Sequence, residues 1–463
     1  MEALPRPRRR GRIVRRVLGG LLALVLLALV GAYWYARPLL LTGTGYAAHN
    51  ACAVTFVAGR TDPDADLPPN PLVPYLRTSV EKLGTDGGVA TTSVFGLLAE
   101  QKAWYTPGLG CVIGKEKGEY GQVTAIPAGA NPFTAAPAPT ADADVQAAVD
   151  RAFGDDLDPA TKKALGTRGI VVARGGHLVA ERYADGFDEH TPQLGWSMTK
   201  SVASLLTGVL VKEGKVTLED KALQPSWTDQ RKDITVEDLL RMTSGLEWDE
   251  TYDLGTPITT MLYTEGSMAG YVADQPAAHA PGTVQQYSSG STNLLCSVLQ
   301  QRAGGAEQSP ADFPRRLLFE PLGLTSAVLE PDGTGLPVCS SYLWATPRDW
   351  TALGQFALQN GQWDGQQLLP TDWMATTTKV TAVDRTDDEA YALGWRSNTL
   401  PDGSLLVPTL PADTYWAQGH DGQRLYVVPS ADLVVTRLGF SPDAEDLRVE
   451  ELVATLANLP RGG

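Results

Sequence analysis

The sequence predicts an α/β chain of the α+β type: a mixed, mainly antiparallel sheet flanked by helices, with a helical subdomain, preceded by one transmembrane helix. Three observations carry this expectation. β-rich runs stand at both ends of the region from about residue 145 onward. Segments with helical periodicity fill the interval between them. An uncharged stretch of twenty residues, 17–36, follows a basic N-terminus.

The stretch VLGGLLALVLLALVGAYWYA spans about 30 Å as a helix at about 1.5 Å per residue, the thickness of a bilayer core. Tyr33, Trp34 and Tyr35 close it, where aromatic side chains favour the membrane–water interface. Residues 1–16 form a basic tail with seven arginines and one acid, Glu2. Positive charge on that side predicts a cytoplasmic N-terminus and a body outside the cytoplasm, at the cell surface or in the periplasm. A cleaved signal peptide shares the basic start and is the alternative reading.

The whole chain carries −15, and the part after residue 16 carries −21. So acidic a body repels phosphate backbones, which sets nucleic acid aside as a partner. Four cysteines are present. An oxidising compartment lets Cys52 and Cys111 pair across the first segment beyond the membrane. Cys296 lies in the apolar helical run TNLLCSVLQ and reads as a buried thiol, whereas Cys339 has no assignment. No cysteine or histidine spacing suits a metal site, and no cofactor is expected.

Residues 46–125 form an N-terminal extracytoplasmic segment, in which CAVTFVAGR reads as a strand. Residues 126–144, IPAGANPFTAAPAPTADAD, have the composition of a linker. A main domain follows over 145–460. In it DVQAAVDRAF reads as a helix, and GIVVARGGHLVAERYADG as a hairpin turning at Gly175-Gly176. ITVEDLLRMTSGL reads as a helix with a Thr235 start and a Gly245 stop. DWTALGQFALQNGQ is a further helix ending near Gly361. Two strands, QRLYVVPS and DLVVTRLGF, and a last helix, EDLRVEELVATLANL, end the chain.

The chemistry concentrates in three places. In GWSMTKSVASLLTGVLVKEG, Val202, Leu205, Leu206, Val209 and Leu210 mark a helix over 199–214. Residues three apart share a helix face, so Lys200 lies beside Ser197 at its first turn. There the helix dipole favours an anionic nucleophile, and a buried lysine can accept the serine proton. Ser197 acting only as a helix cap is the alternative. The second place is PGTVQQYSSGS, where Tyr287 is a candidate proton relay and Ser289 a candidate substrate contact. The third is WAQGHDGQRLYVVP. His420 and Gly422 are candidates for the substrate wall there, and the N–H of Gln423 can join the N–H of Ser197 as an oxyanion hole.

Together, SMTK, YSS and HDG, with ITVEDLLRMTSGLEW and ATPRDWTALGQFALQNGQWDGQQLLP around them, resemble the serine hydrolases of the class C β-lactamase and penicillin-binding superfamily. Within it the sequence is most similar to the aminohexanoate-dimer (nylon-oligomer) hydrolases and related esterases, over about 140–460. The resemblance implies a β-lactamase/transpeptidase-like fold. It also implies an acyl-enzyme on Ser197, a proton held or taken by Lys200, and Tyr287 as general base and acid. His420 and Gly422 would shape the oxyanion wall, and no metal or cofactor would be needed. His420 stands where true β-lactamases carry a lysine, and an imidazole holds a carboxylate less well at pH 7. Ser289 stands where many relatives carry Asn. Both departures shift the expected substrate from lactams to small esters or linear amides. A D-amino-acid peptidase or carboxypeptidase acting on cell-wall peptides, a β-lactamase, and an inactive sensor module of the same fold are the alternatives. A Gly-x-Ser-x-Gly elbow is absent at 195–199, which sets the α/β-hydrolases aside. Oligomeric state leaves no mark on the sequence.

Overall fold

The computed structural model describes residues 9–68, 70–85, 87–120, 123, 125–304 and 312–460. Residues 1–8 of the basic tail lie outside the described residues.

The chain begins with one long helix, α1 (Arg9–Phe56). Its side chains are exposed from Val14 to Ala32 and mostly buried from Thr42 to Val54. The predicted apolar span is thus the outer part of a longer helix, and no linker separates it from the body. CAVTFVAGR is not a strand: the helix runs through Phe56, and the N–H groups of Val57 and Ala58 close its end on the carbonyl of Ala53. The β-preference of Val54, Thr55 and Phe56 is a weak bias that tertiary packing overrides. Ala48, Ala51 and Ala53 are small enough to let a sheet pack closely, and they form one buried cluster with Ala90 and Ala103.

That sheet is an antiparallel meander of β1 (Leu76–Leu83), β2 (Gly87–Val94), β3 (Leu98–Thr106) and β4 (Gly110–Ile113). The expected Cys52–Cys111 disulfide ties α1 to β4, with Cα atoms 6.1 Å apart. The Pro/Ala-rich stretch after it is anchored to the main domain. Asn131 donates to Asp349 at 2.7 Å, Arg348 donates to the carbonyls of Phe133 and Ala136, and the Phe133 ring is buried.

The main domain is built on six antiparallel strands. After α2 (Ala143–Ala152) come β5 (Thr167–Arg174) and β6 (His177–Tyr183), the predicted hairpin. The helical layer holds α3 (Thr199–Lys212), α4 (Val236–Arg241), α5 (Pro257–Thr264), α6 (Ser289–Ala303) and α7 (Pro347–Leu358). The chain then returns through β7 (Arg396–Ser397), β8 (Tyr415–Gln418), β9 (Arg424–Val428) and β10 (Leu433–Gly439), and ends in α8 (Val449–Asn458). The strand order is β7-β8-β9-β10-β5-β6, with every pairing antiparallel.

Alternation along the strands sorts side chains to two cores. Leu433 and Val435 pack with α2 and α8 on one face, while Val434 and Leu438 pack with α3, α6 and α7 on the other. α4 starts on the predicted Thr235 signal, as a capping box with Asp238. It ends earlier than expected, at Arg241, because Met242 turns into the left-handed region. Cys296 is no free thiol: it is bonded to Cys339, with Cα atoms 6.0 Å apart.

Candidate active site

Ser197 lies in a single 3-10 turn, Trp196–Met198, that feeds directly into α3. The turn is tight. Trp196 holds φ at 47°, an uncommon conformation for a bulky residue. Gly195 has no alternative, since a Cβ there would meet the Trp350 ring at 2.1 Å. Ser197 does not cap α3. The cap position is Met198, and no side chain closes the helix start. Its hydroxyl instead accepts a hydrogen bond from Lys200 Nζ at 2.9 Å.

Lys200 is buried, and its ammonium has three protein acceptors. Besides Ser197, these are Ser289 Oγ at 2.9 Å and the Ser340 carbonyl at 3.1 Å. An ammonium has three donors, so the geometry satisfies it without a direct carboxylate contact. Ser289 passes the interaction on: its hydroxyl donates to Glu250 Oε1, and its N–H donates to Glu250 Oε2 at 2.9 Å. Trp248 Nε1 holds the same carboxylate at 2.5 Å. A chain Lys200–Ser289–Glu250–Trp248 therefore positions the lysine from behind. Ser289, expected on the substrate wall, is fully buried at the start of α6. It contacts the lysine and not the cleft.

Tyr287 presents its ring to Lys200, with Nζ 4.8 Å from the ring centroid, and to Arg396 at 5.2 Å. Its N–H donates to both oxygens of Asp387 at 3.0 Å, and Tyr391 packs edge-on at 5.4 Å. Lys200 and Arg396 thus both lie against the Tyr287 ring, which brings the three side chains together.

His420, Asp421 and Gly422 form the turn between β8 and β9. His420 stacks on Tyr252 at 4.7 Å and meets Trp196 edge-on at 5.8 Å, so its ring adjoins the residue before the nucleophile. Asp421 takes φ 55°, and burial raises its carboxyl above the usual range. Arg437 fixes the turn from below. It is fully buried, donates to the Gly422 carbonyl at 2.7 Å, and would collide with any Cβ at Gly422. The Gln423 side chain pairs with both backbone groups of Gly439, at 2.6 and 3.0 Å. Its N–H faces the His420 carbonyl at 3.5 Å, beyond a good hydrogen-bond length.

The structure thus unites Ser197, Lys200 and Ser289 directly, and joins Tyr287 and His420 through ring contacts. It adds Glu250, Tyr252 and Arg396, which no motif marks, although Glu250 and Tyr252 stand close to the SGLEW stretch. Among the described residues no group of three or more His, Cys, Asp or Glu side chains gathers as a metal site.

A half-buried Ser197 bonded to a buried Lys200 at the head of a helix has the arrangement of a serine hydrolase nucleophile and its base. Residues 149–457 match the β-lactamase family, and the chain belongs to it. It is 22% identical over 303 residues to a 6-aminohexanoate-dimer hydrolase of Paenarthrobacter ureafaciens, covering 60% of this chain and 74% of that protein. A Bacillus anthracis protein assigned as a 6-aminohexanoate-dimer hydrolase superposes with a TM-score of 0.55 at 20% identity, over 73% of this chain and 89% of that one. A family VIII carboxylesterase superposes with a TM-score of 0.51 at 16% identity, over 68% and 96%.

Proposed function

We propose that the protein is a membrane-anchored, extracytoplasmic hydrolase that cleaves small esters or linear amides through an acyl-enzyme on Ser197. The observation that carries the reading is the 2.9 Å bond between Lys200 Nζ and Ser197 Oγ. Ser197 Oγ attacks the substrate carbonyl carbon, and its proton passes through Lys200 and Tyr287 to the leaving oxygen or nitrogen as that bond breaks. Water then attacks the acyl carbon, its proton returns to Ser197, and the acid leaves. The N–H of Ser197 would hold the oxyanion, joined by that of Gln423 once it turns from the His420 carbonyl. The same three Lys200 contacts serve whichever partner of the pair carries the proton.

The proposed substrate class is supported by the rings around Trp196. Trp196, Tyr252 and His420 present ring faces and edges beside the nucleophile. Such walls suit an uncharged acyl group more than a carboxylate-bearing lactam. The proposed address is supported by α1, whose apolar part is exposed throughout and long enough to cross a bilayer. The arginines before it orient the N-terminus to the cytoplasm.

The test is labelling of the full chain, in detergent, by a fluorophosphonate probe, beside a Ser197→Ala sample. Labelling confined to the native chain supports an activated Ser197, and p-nitrophenyl esters, linear amides and nitrocefin then rank the substrates. A folded native chain that takes no label sinks the hydrolase mechanism.

A further inference from the structure

We infer that the turn between β2 and β3 is a second membrane contact, seating the hydrolase on the outer leaflet beside its own anchor. The inference rests on the reading of α1 as a membrane span. Three residues at the turn carry exposed apolar side chains: Phe95 at 59%, Leu97 at 86% and Leu98 at 38%. Tyr75, itself 48% exposed, packs on Phe95 with centroids 5.3 Å apart and so belongs to the same patch. Single exposed apolar residues need no explanation, but a cluster at the tip of a hairpin does.

The place of the turn identifies what covers it. The Ala99 N–H, at the base of the turn, donates to Tyr33 Oη at 3.2 Å, and the Ala99 carbonyl accepts from Thr44 Oγ1 at 2.7 Å. Tyr33 opens the aromatic group Tyr33-Trp34-Tyr35, in which Trp34 and Tyr35 are exposed. Such side chains sit at the headgroup level. β3 runs from Ala99 towards Tyr105, whose ring stacks on Phe56 at the far end of α1. The tip at Leu97 therefore points the opposite way, towards the apolar part of the helix. The chemistry that fits an apolar tip beside an aromatic belt is the interfacial zone of a lipid bilayer.

A helix alone lets the body rotate and tilt. A second contact fixed to that helix by two hydrogen bonds, a sheet and a disulfide sets one orientation. Tyr46, which touches Trp196, is ten residues beyond Ala36, or about 15 Å along the helix. The nucleophile is then held close to the membrane surface, where esters carried in or near the bilayer reach it.

The experiment uses the full chain in lipid nanodiscs, with a single added cysteine labelled by an environment-sensitive nitrobenzoxadiazole dye. Leu97→Cys reports the turn, Leu24→Cys reports the span, and Gln366→Cys reports an exposed site on the main domain. Lipids carrying a nitroxide at the headgroup level and lipids carrying one deep in the acyl chain are then added together. The expected result is about twofold or greater quenching at positions 97 and 24, with little at 366. Quenching at 24 without quenching at 97 overturns the seating and leaves the anchor intact. No quenching at either position removes the anchor reading and the seating with it.

Discussion

Tyr46 of the N-terminal helix meets Trp196, the residue before Ser197, edge to face with ring centroids 6.2 Å apart. Tyr46 is held there by stacking on Tyr263 at 5.0 Å. The helix that carries the exposed apolar stretch therefore also builds the surroundings of Ser197. Aromatic pairs contribute about 0.5–1.5 kcal/mol beyond their burial, which corresponds to at most about tenfold in a rate or affinity. Tyr46→Ala is expected to lower kcat/KM for p-nitrophenyl esters by up to about tenfold, mainly through KM. Tyr46→Phe, which keeps the ring, restores it. Unchanged constants in Tyr46→Ala would make the helix an anchor and nothing more.

The relay behind the lysine gives a second prediction. Ser289→Ala removes the hydroxyl that links Lys200 to Glu250. Hydrogen bonds to charged groups contribute about 1.5–3 kcal/mol, so kcat should fall by about 10- to 100-fold with KM little changed. Lys200→Ala removes the proposed proton acceptor itself and should cost about four orders of magnitude. Rates of fluorophosphonate labelling measured across pH check both. A role of Ser289 in packing alone would lower the melting temperature and leave both the labelling rate and its pH profile in place.

These two cases also mark how far the sequence could be read. Ser197 and Lys200 were legible because their relation is local: three residues on one helical turn. Tyr287 and His420-Asp421-Gly422 were legible as motifs, through resemblance. Glu250 was not, because its contact with Ser289 joins a loop to the start of α6, which only the fold brings together. The inner half of α1 misled for the opposite reason. Val54, Thr55 and Phe56 favour strands locally, and the alanines that bind the helix to the sheet carry no period that marks a buried helix. Cys296 and Cys339 are 43 residues apart, and nothing near either of them signals the other. The apolar turn at Phe95–Leu98 looks like any hairpin until its height on α1 is known.

The junction between the N-terminal segment and the main domain should be sensitive to acid. Asp66 is held by Arg60 at 2.5 and 3.0 Å, and by Arg168 at the start of β5. Burial pushes its carboxyl up, but the bonds to Arg168 and then Arg60 outweigh that and hold it below the usual range. A depressed carboxyl contributes stability above its unfolded pKa, about 3.9, and loses it as pH falls through the lower folded value. Asp66→Asn leaves two arginines, both largely buried, without their counter-charge. At pH 7 it should cost about 3 kcal/mol, and it should flatten this part of the acid limb. Denaturant melts of both proteins between pH 2 and 7 test it. Parallel curves over the acid range would show that Asp66 does not control acid stability.

The disulfide between Cys52 and Cys111 tests whether α1 reaches Trp196 independently of its covalent link to the sheet. It closes a sequence separation of 59 residues, and the chain-entropy relation gives about 4 kcal/mol for a loop of that size. Replacing both cysteines by serine should therefore lower stability by about 2–4 kcal/mol, since engineered losses often fall short of the entropy limit. Tyr46 is fixed by its own contacts with Tyr263 and Trp196, on the part of α1 that precedes the disulfide. Well below the melting temperature, the double variant should then keep kcat/KM within about twofold of the native value. Heating should cost it activity earlier, in step with unfolding. If the double variant instead shows the kcat/KM of Tyr46→Ala while still folded, the disulfide itself holds the helix against Trp196. The ring contacts would then follow from that bond and would not secure the helix independently.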